Sequence, residues 1–188
     1  MAVSVKAQLA QMARYHAWAT ERLLMAVGPI ADESYRKSCG LYFGSIHGTL
    51  NHLLLTDSEI WYRRFTQKPV TSLALDAELE SDRVLLASRL IAATTRWQDH
   101  VENLDEPALA GNLHYTMTTG QARTLPMSGA LLHVFNHATH HRGQITAAIS
   151  MLGFEYEPLD LPLMIFSEPV QVLTDKRSRL QTPPLPIS

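Results

Sequence analysis

Apolar residues recur at three- and four-residue steps along Ser4–Val27 (Val5, Leu9, Met12, Ala19, Leu23, Val27), and His16 stands on the same stripe. Ser4 can cap this first helix and Gly28-Pro29 stops it. A second helix is expected over Ser45–Phe65. Its Leu53–Leu55 run makes it apolar over a wide arc, as a buried helix is. A linker rich in Pro and Thr follows (Gln67–Ser72). A third helix, Asp76–Leu104, turns Leu79, Leu86, Leu90, Trp97 and Val101 inward. Between Asp105 and Pro126 the pattern changes. His114–Thr118 and Ala122–Leu125, separated by Thr119-Gly120-Gln121, read as a short hairpin. The last long helix, Met127–Leu152, opens at Pro126 and ends before Gly153. Leu159–Phe166 is apolar but interrupted by Pro, and is expected to pack over the helices. The end, with Pro183, Pro184 and Pro186, reads as extended or disordered.

Four long amphipathic segments and one hairpin predict an all-α protein. The expected architecture is an up-down four-helix bundle with a short β-hairpin before the last long helix. Residues 1–165 would form this domain and residues 166–188 a tail.

Composition narrows the partners. The 188 residues are 46 % hydrophobic and carry a formal net charge of −2, so no basic excess points to nucleic acid. Cys39 is the single cysteine and cannot form an intrachain disulfide. The N-terminus does not pair a basic segment with an apolar core. No apolar run approaches the ~18 residues of a membrane helix. A cytoplasmic protein with no membrane partner is the expectation.

The nine histidines are the outlier, and they cluster. Residues 133–144 read His-Val-Phe-Asn-His-Ala-Thr-His-His-Arg-Gly-Gln, with His133, His137 and His141 four apart. On a helix, such residues stack on one face with Cβ atoms ~5–6 Å apart. Two imidazoles so placed can close on one transition metal at ~2.0–2.1 Å; the alternative is imidazoles satisfied by carbonyls. A third ligand must come from another helix, and the second helix offers His47 and His52. Helical angle puts His47 nearer the Leu50/Leu54/Trp61 stripe and His52 on another flank. His133 lies too far along the helix to share the ion with both others, and reads as pocket lining. His140 lies off the stripe. His16 reads as a hydrogen-bonded core histidine or as support for a metal ligand.

These residues resemble a known family. His137-Ala138-Thr139-His140-His141-Arg142-Gly143-Gln144 resembles the C-terminal helix signature of the DinB family, among the DinB/YfiT-like metalloenzymes. Tyr15-His16-Ala17-Trp18-Ala19 resembles its first-helix motif, although Asn is more usual where His16 stands. Ser45-Ile46-His47-Gly48-Thr49-Leu50-Asn51-His52, followed by Asp57 and Trp61, resembles its second helix. Here Trp61 falls one residue later after His52 than the family pattern leads one to expect. The resemblance spans roughly residues 4–165. It implies a four-helix bundle with three histidines on one divalent metal: His52, His137 and His141, with His47 the fallback for His52.

Three imidazoles leave coordination positions open, as catalytic sites do. They suit Zn, Ni, Fe or Co without choosing among them. No general base stands out. Gln144 reads as a hydrogen-bond partner of bound water or substrate or as a surface amide. Asp57 and Glu59 read as groups that orient an imidazole or take a proton, or as solvated carboxylates, and Arg142 as an anion attractor or a surface ion pair. Family members with known activities resemble thiol transferases and thiol-dependent isomerases, in which the metal holds a thiol as thiolate. The resemblance therefore implies a metal-dependent thiol S-transferase or hydrolase with a small-molecule substrate, a low-molecular-weight thiol among the candidates. The alternative is a non-catalytic metal-binding stress or sensor protein. A homodimer is expected from the family and from the frequency of two-fold oligomers.

Overall fold

A computed structural model describes residues 4–70, 72–117 and 119–167. The chain is mostly helical, with one two-stranded antiparallel sheet. Helix α1 (Val5–Val27) begins where Ser4 Oγ accepts the Ala7 N–H at 3.1 Å. A short α2 (Asp32–Arg36), not anticipated, follows. The second helical segment starts as α3 (Ile46–Leu54), capped by Ser45 Oγ on the Gly48 N–H at 3.0 Å. It then widens into a π-helical stretch, Leu55–Trp61, and closes as α4 (Tyr62–Phe65). A π turn inserted in an α-helix takes up an additional residue. It accounts for the one-residue lateness of Trp61.

Helix α5 (Arg83–Glu102) starts later than the expected Asp76. Two causes are visible. Asp82 Oδ1 caps it by accepting the Val84 and Leu85 N–H groups. Upstream, Asn51 Oδ1 accepts the Leu79 and Glu80 N–H groups at 2.8 and 2.9 Å, and its Nδ2 donates to the Glu80 carbonyl. The side chain of α3 thus takes the backbone bonds that a helix over 76–82 would need. A second unanticipated short helix, α6 (Glu106–Ala110), is capped by Asp105. The expected hairpin is present as β1 (Asn112–Thr116) and β2 (Ala122–Pro126), with Leu113 opposite Leu125 and Tyr115 opposite Arg123. Helix α7 (Met127–Met151) stops before Gly153, whose φ of +80° suits glycine. Helix α8 (Leu161–Ser167) lays Met164 against Tyr15 and Ala19 of α1. The proline-rich end lies outside the described residues.

Helix α1 packs along α5 and α7, and α3 packs on the same two helices. The interior has two apolar clusters. One gathers Leu23, Ile46, Leu50, Leu86, Leu90 and Ile149; the other gathers Leu9, Leu55, Trp97, Val101, Val134 and Phe135. Each long helical segment also buries a polar residue, His16, Asp57, Thr94 or Arg142, and along their helices His16 and Thr94 fall between the two clusters. This layer is hydrogen-bonded in sequence. Arg142 Nη1 donates to His16 Nδ1 at 3.0 Å, and His16 Nε2 donates to Asp57 Oδ2 at 3.0 Å. Arg142 Nη2 also reaches Thr139 Oγ1 at 2.9 Å, and Arg96 donates to the Asp57 carbonyl. His16 is therefore a core histidine between an anion and a cation, and neither Asp57 nor Arg142 lies at the surface.

Candidate metal centre

The face of α7 that carries residues four apart meets α3 near its C-terminal end. There His52 Nε2 lies 3.3 Å from His137 Nε2, and His141 Nε2 lies 3.1 Å from the same atom. The ligand atoms of all three lie within 4.8 Å of one another, and the group comprises these three alone among the described residues. A tetrahedral ion at the usual ~2.05 Å M–N distance has N···N edges of about 3.3 Å, so the spacing suits one cation.

Proton positions agree with that geometry. His52 Nδ1 donates to the Leu75 carbonyl at 2.8 Å, so its Nε2 presents a lone pair. His141 Nδ1 donates to Gln144 Oε1 at 2.7 Å, while Gln144 Nε2 donates to His140 Nε2 at 3.2 Å. That second bond orients the amide and leaves His141 Nε2 as an acceptor too. A single proton on His137 Nε2 can serve one neighbour but not both. Three converging nitrogens with too few protons between them are what a cation-binding donor set looks like. Burial pushes the His52 imidazole down to about 4. His137 is pushed down to about 3 by burial, aided by the facing His141 and His52 rings. Burial lowers His141 as well, against the opposing Gln144 bond. The three are neutral at pH 7, the protonation state that ligation requires.

The other sequence candidates lie elsewhere. His47 Nε2 is bonded to Glu78 Oε1 at 2.6 Å and its ring packs on Tyr35 at 5.4 Å, so it stands outside the cluster. Both His47 and His52 are buried, so burial does not separate them; their partners do. His133 is exposed, with its ring 4.8 Å from Trp61 and 5.7 Å from His137. His140 is exposed and held by Gln144, which supports a ligand candidate and is not a free surface amide. Of the carboxylates, Asp57 is bonded to His16 and Glu59 to Arg63 at 2.6 Å.

Sequence reasoning missed Phe43 and the Leu75 carbonyl. Phe43 stacks on His52, centroids 3.7 Å apart and planes 17° apart. Gly48 permits this: a Cβ there would overlap the Phe43 carbonyl oxygen. The glycine following His47 was the available signal. Gly48→Ala is expected to displace the loop and destabilise the fold by about 1–3 kcal/mol, read by comparing melting curves. Gln144→Leu removes the acceptor that orients His141. It is expected to weaken metal affinity about 10–100-fold in a chelator competition, with the melting temperature of the metal-free chain little changed.

Comparison with known proteins identifies the family. A model of the DinB family matches residues 1–177. The chain belongs to the DinB family. Protein DinB of Bacillus subtilis (strain 168) is 29 % identical over 161 residues, covering 81 % of this chain and 90 % of the relative. No solved structure matches the chain. In this DinB-family chain the three gathered histidines are those that the family resemblance singled out. Among the described residues, no helix is long and apolar enough to cross a membrane.

Proposed function

We propose that this DinB-family chain is a divalent-metal enzyme in which His52, His137 and His141 hold the ion and small molecules reach its remaining positions. The observation that carries this reading is the convergence of three neutral imidazoles, two of them fixed through Nδ1, with no fourth His, Cys, Asp or Glu in the group among the described residues. A bound divalent cation would supply Lewis acidity, lowering the pKa of a thiol or water that reaches it. The protein's own part is to keep the imidazoles deprotonated, to orient His52 and His141, and to shield one side with the Phe43 ring.

Transfer of a low-molecular-weight thiol to an electrophile is the preferred reaction and hydrolysis the second. A thiol acidified at the ion needs no further base, and Asp57 and Glu59 are both engaged elsewhere. In the same reading the long helices form an up-down bundle, and the chain works in the cytoplasm as a homodimer.

Cobalt substitution tests for open positions. Adding a small thiol to the cobalt-loaded chain is expected to produce a sulfur-to-cobalt charge-transfer band, absent from His137→Ala. A cobalt-loaded chain whose spectrum ignores added thiol would instead favour a non-catalytic sensor or structural metal.

A further inference from the structure

A concave feature lies at the end of the fold that carries the hairpin. An open cavity of about 630 Å³ is lined by the end of α4, by Gln67–Val70 and Ser72, and by the hairpin. That volume falls in the range of small-molecule sites, ~300–1,000 Å³. Its charged lining has one sign: Arg64, Lys68 and Arg123 contribute cations, and among the described residues no carboxylate lines it. None of the three forms an ion pair among the described residues. Arg123 Nε reaches only the Met117 sulfur, at 3.4 Å. Arg64 is the most constrained. Its guanidinium lies 4.7 Å from the Trp61 ring centroid and 4.4 Å from that of Tyr115, and its Nε is buried with no hydrogen-bond partner. Ser72 and Thr124 line the same space, with the Thr124 hydroxyl bonded to His114 Nδ1 at 2.9 Å.

The walls are held in place. Arg63 ties Glu59 to the Pro69 carbonyl, and Gln67 turns the chain with a φ of 53°. A run of ring contacts leads from the cavity wall to the histidines. Trp61, against which Arg64 packs, touches His133, and His133 neighbours His137.

We propose that this cavity binds the anionic end, a carboxylate or phosphate, of the small molecule that reacts at the histidine cluster. Planar guanidinium groups recognise both oxyanions through paired N–H donors. Pinning an anionic end at Arg64 would leave the rest of the molecule to pass Trp61 and His133 toward His137. The link to chemistry rests on the metal-site reading above; the anion site itself does not.

The test uses the full chain, freed of metal by chelator and dialysis. Inorganic phosphate and glutarate are titrated separately at constant ionic strength, and the indole N–H signal of Trp61 is followed by nuclear magnetic resonance. Saturable shifts are expected with at least one of them; which one names the oxyanion. Arg64→Gln is expected to weaken binding about tenfold. Exposed Lys68→Gln and Arg123→Gln, whose folding is not in question, are expected to weaken it as well. The remote surface change Lys37→Gln should leave it as in wild type. Shifts that never saturate, or that all these variants share equally, would overturn the proposal. Phosphate or glutarate binding in a chain that takes up no metal would sink the metal site and leave the cavity. Metal uptake without anion binding would sink the cavity alone.

Discussion

Asp57→Ala is expected to lower the stability of the fold by about 3–5 kcal/mol, among the largest losses from any single change in this chain. Asp57, His16 and Arg142 are each at most 3 % exposed and are joined by two 3.0 Å hydrogen bonds. Removing the carboxylate leaves the Arg142 guanidinium buried without its anion, and leaves the His16 Nε2 proton without an acceptor. Burying an unmatched charge costs far more than the pair itself contributes. Replacing both ends with apolar side chains (Asp57→Leu with Arg142→Met) is accordingly expected to cost less than Asp57→Ala alone. Urea unfolding at pH 7 checks both. A loss below about 1 kcal/mol for Asp57→Ala, the size of an ordinary surface change, would mean that this layer does not hold the helices together.

That layer also shows which parts of the structure were legible in the sequence. Helices α1 and α7 and the hairpin announce themselves locally, through Ser4, Pro126, Gly153 and the Thr119-Gly120 turn. The start of α5 does not. Residues 76–82 carry a helical pattern, yet Asn51, distant in sequence, captures their backbone. The π-helical stretch was visible only as a misplaced Trp61, a one-residue offset that periodicity cannot interpret. Asp57 and Arg142 look like surface charges because each is polar in its own helix; only assembly shows them facing one another through His16. Helical angle favours His47, which falls nearer the Leu50/Leu54/Trp61 stripe, yet His47 and His52 are both buried. Glu78 on the strap after the linker claims His47, while His52 is turned by the Leu75 carbonyl toward α7. A contact made by a neighbouring strap leaves no local periodicity to read.

Acid should destabilise the metal-free chain steeply. The ordinary imidazole value is 6.5, but burial holds His52 down to about 4 and His137 to about 3 in the folded state. Between those values the unfolded chain binds protons that the folded chain refuses. Stability from this source is therefore complete above pH 6.5. It falls as pH drops through about 4 for His52 and about 3 for His137, with unfolding taking up about two additional protons. His52→Gln is expected to flatten the profile by about one proton between pH 6 and 5. Urea midpoints at half-unit pH steps give the slope, and a flat profile from pH 6.5 to 5 would show that the cluster is open to water. Added divalent metal should steepen the dependence, because it binds only neutral imidazoles. At a thousandfold excess over its Kd it should stabilise the fold by ~4 kcal/mol at pH 7.

The most direct test of the three-histidine site is metal content by elemental mass spectrometry, on untagged protein purified without an immobilised-metal column. Wild type is run beside His137→Ala, with His47→Ala as the comparison outside the cluster. About one transition-metal ion per chain is expected in wild type and in His47→Ala, and essentially none in His137→Ala. No metal in wild type, together with no uptake on titration with zinc, nickel, iron or cobalt, would contradict the site and leave three converging imidazoles with a structural role alone.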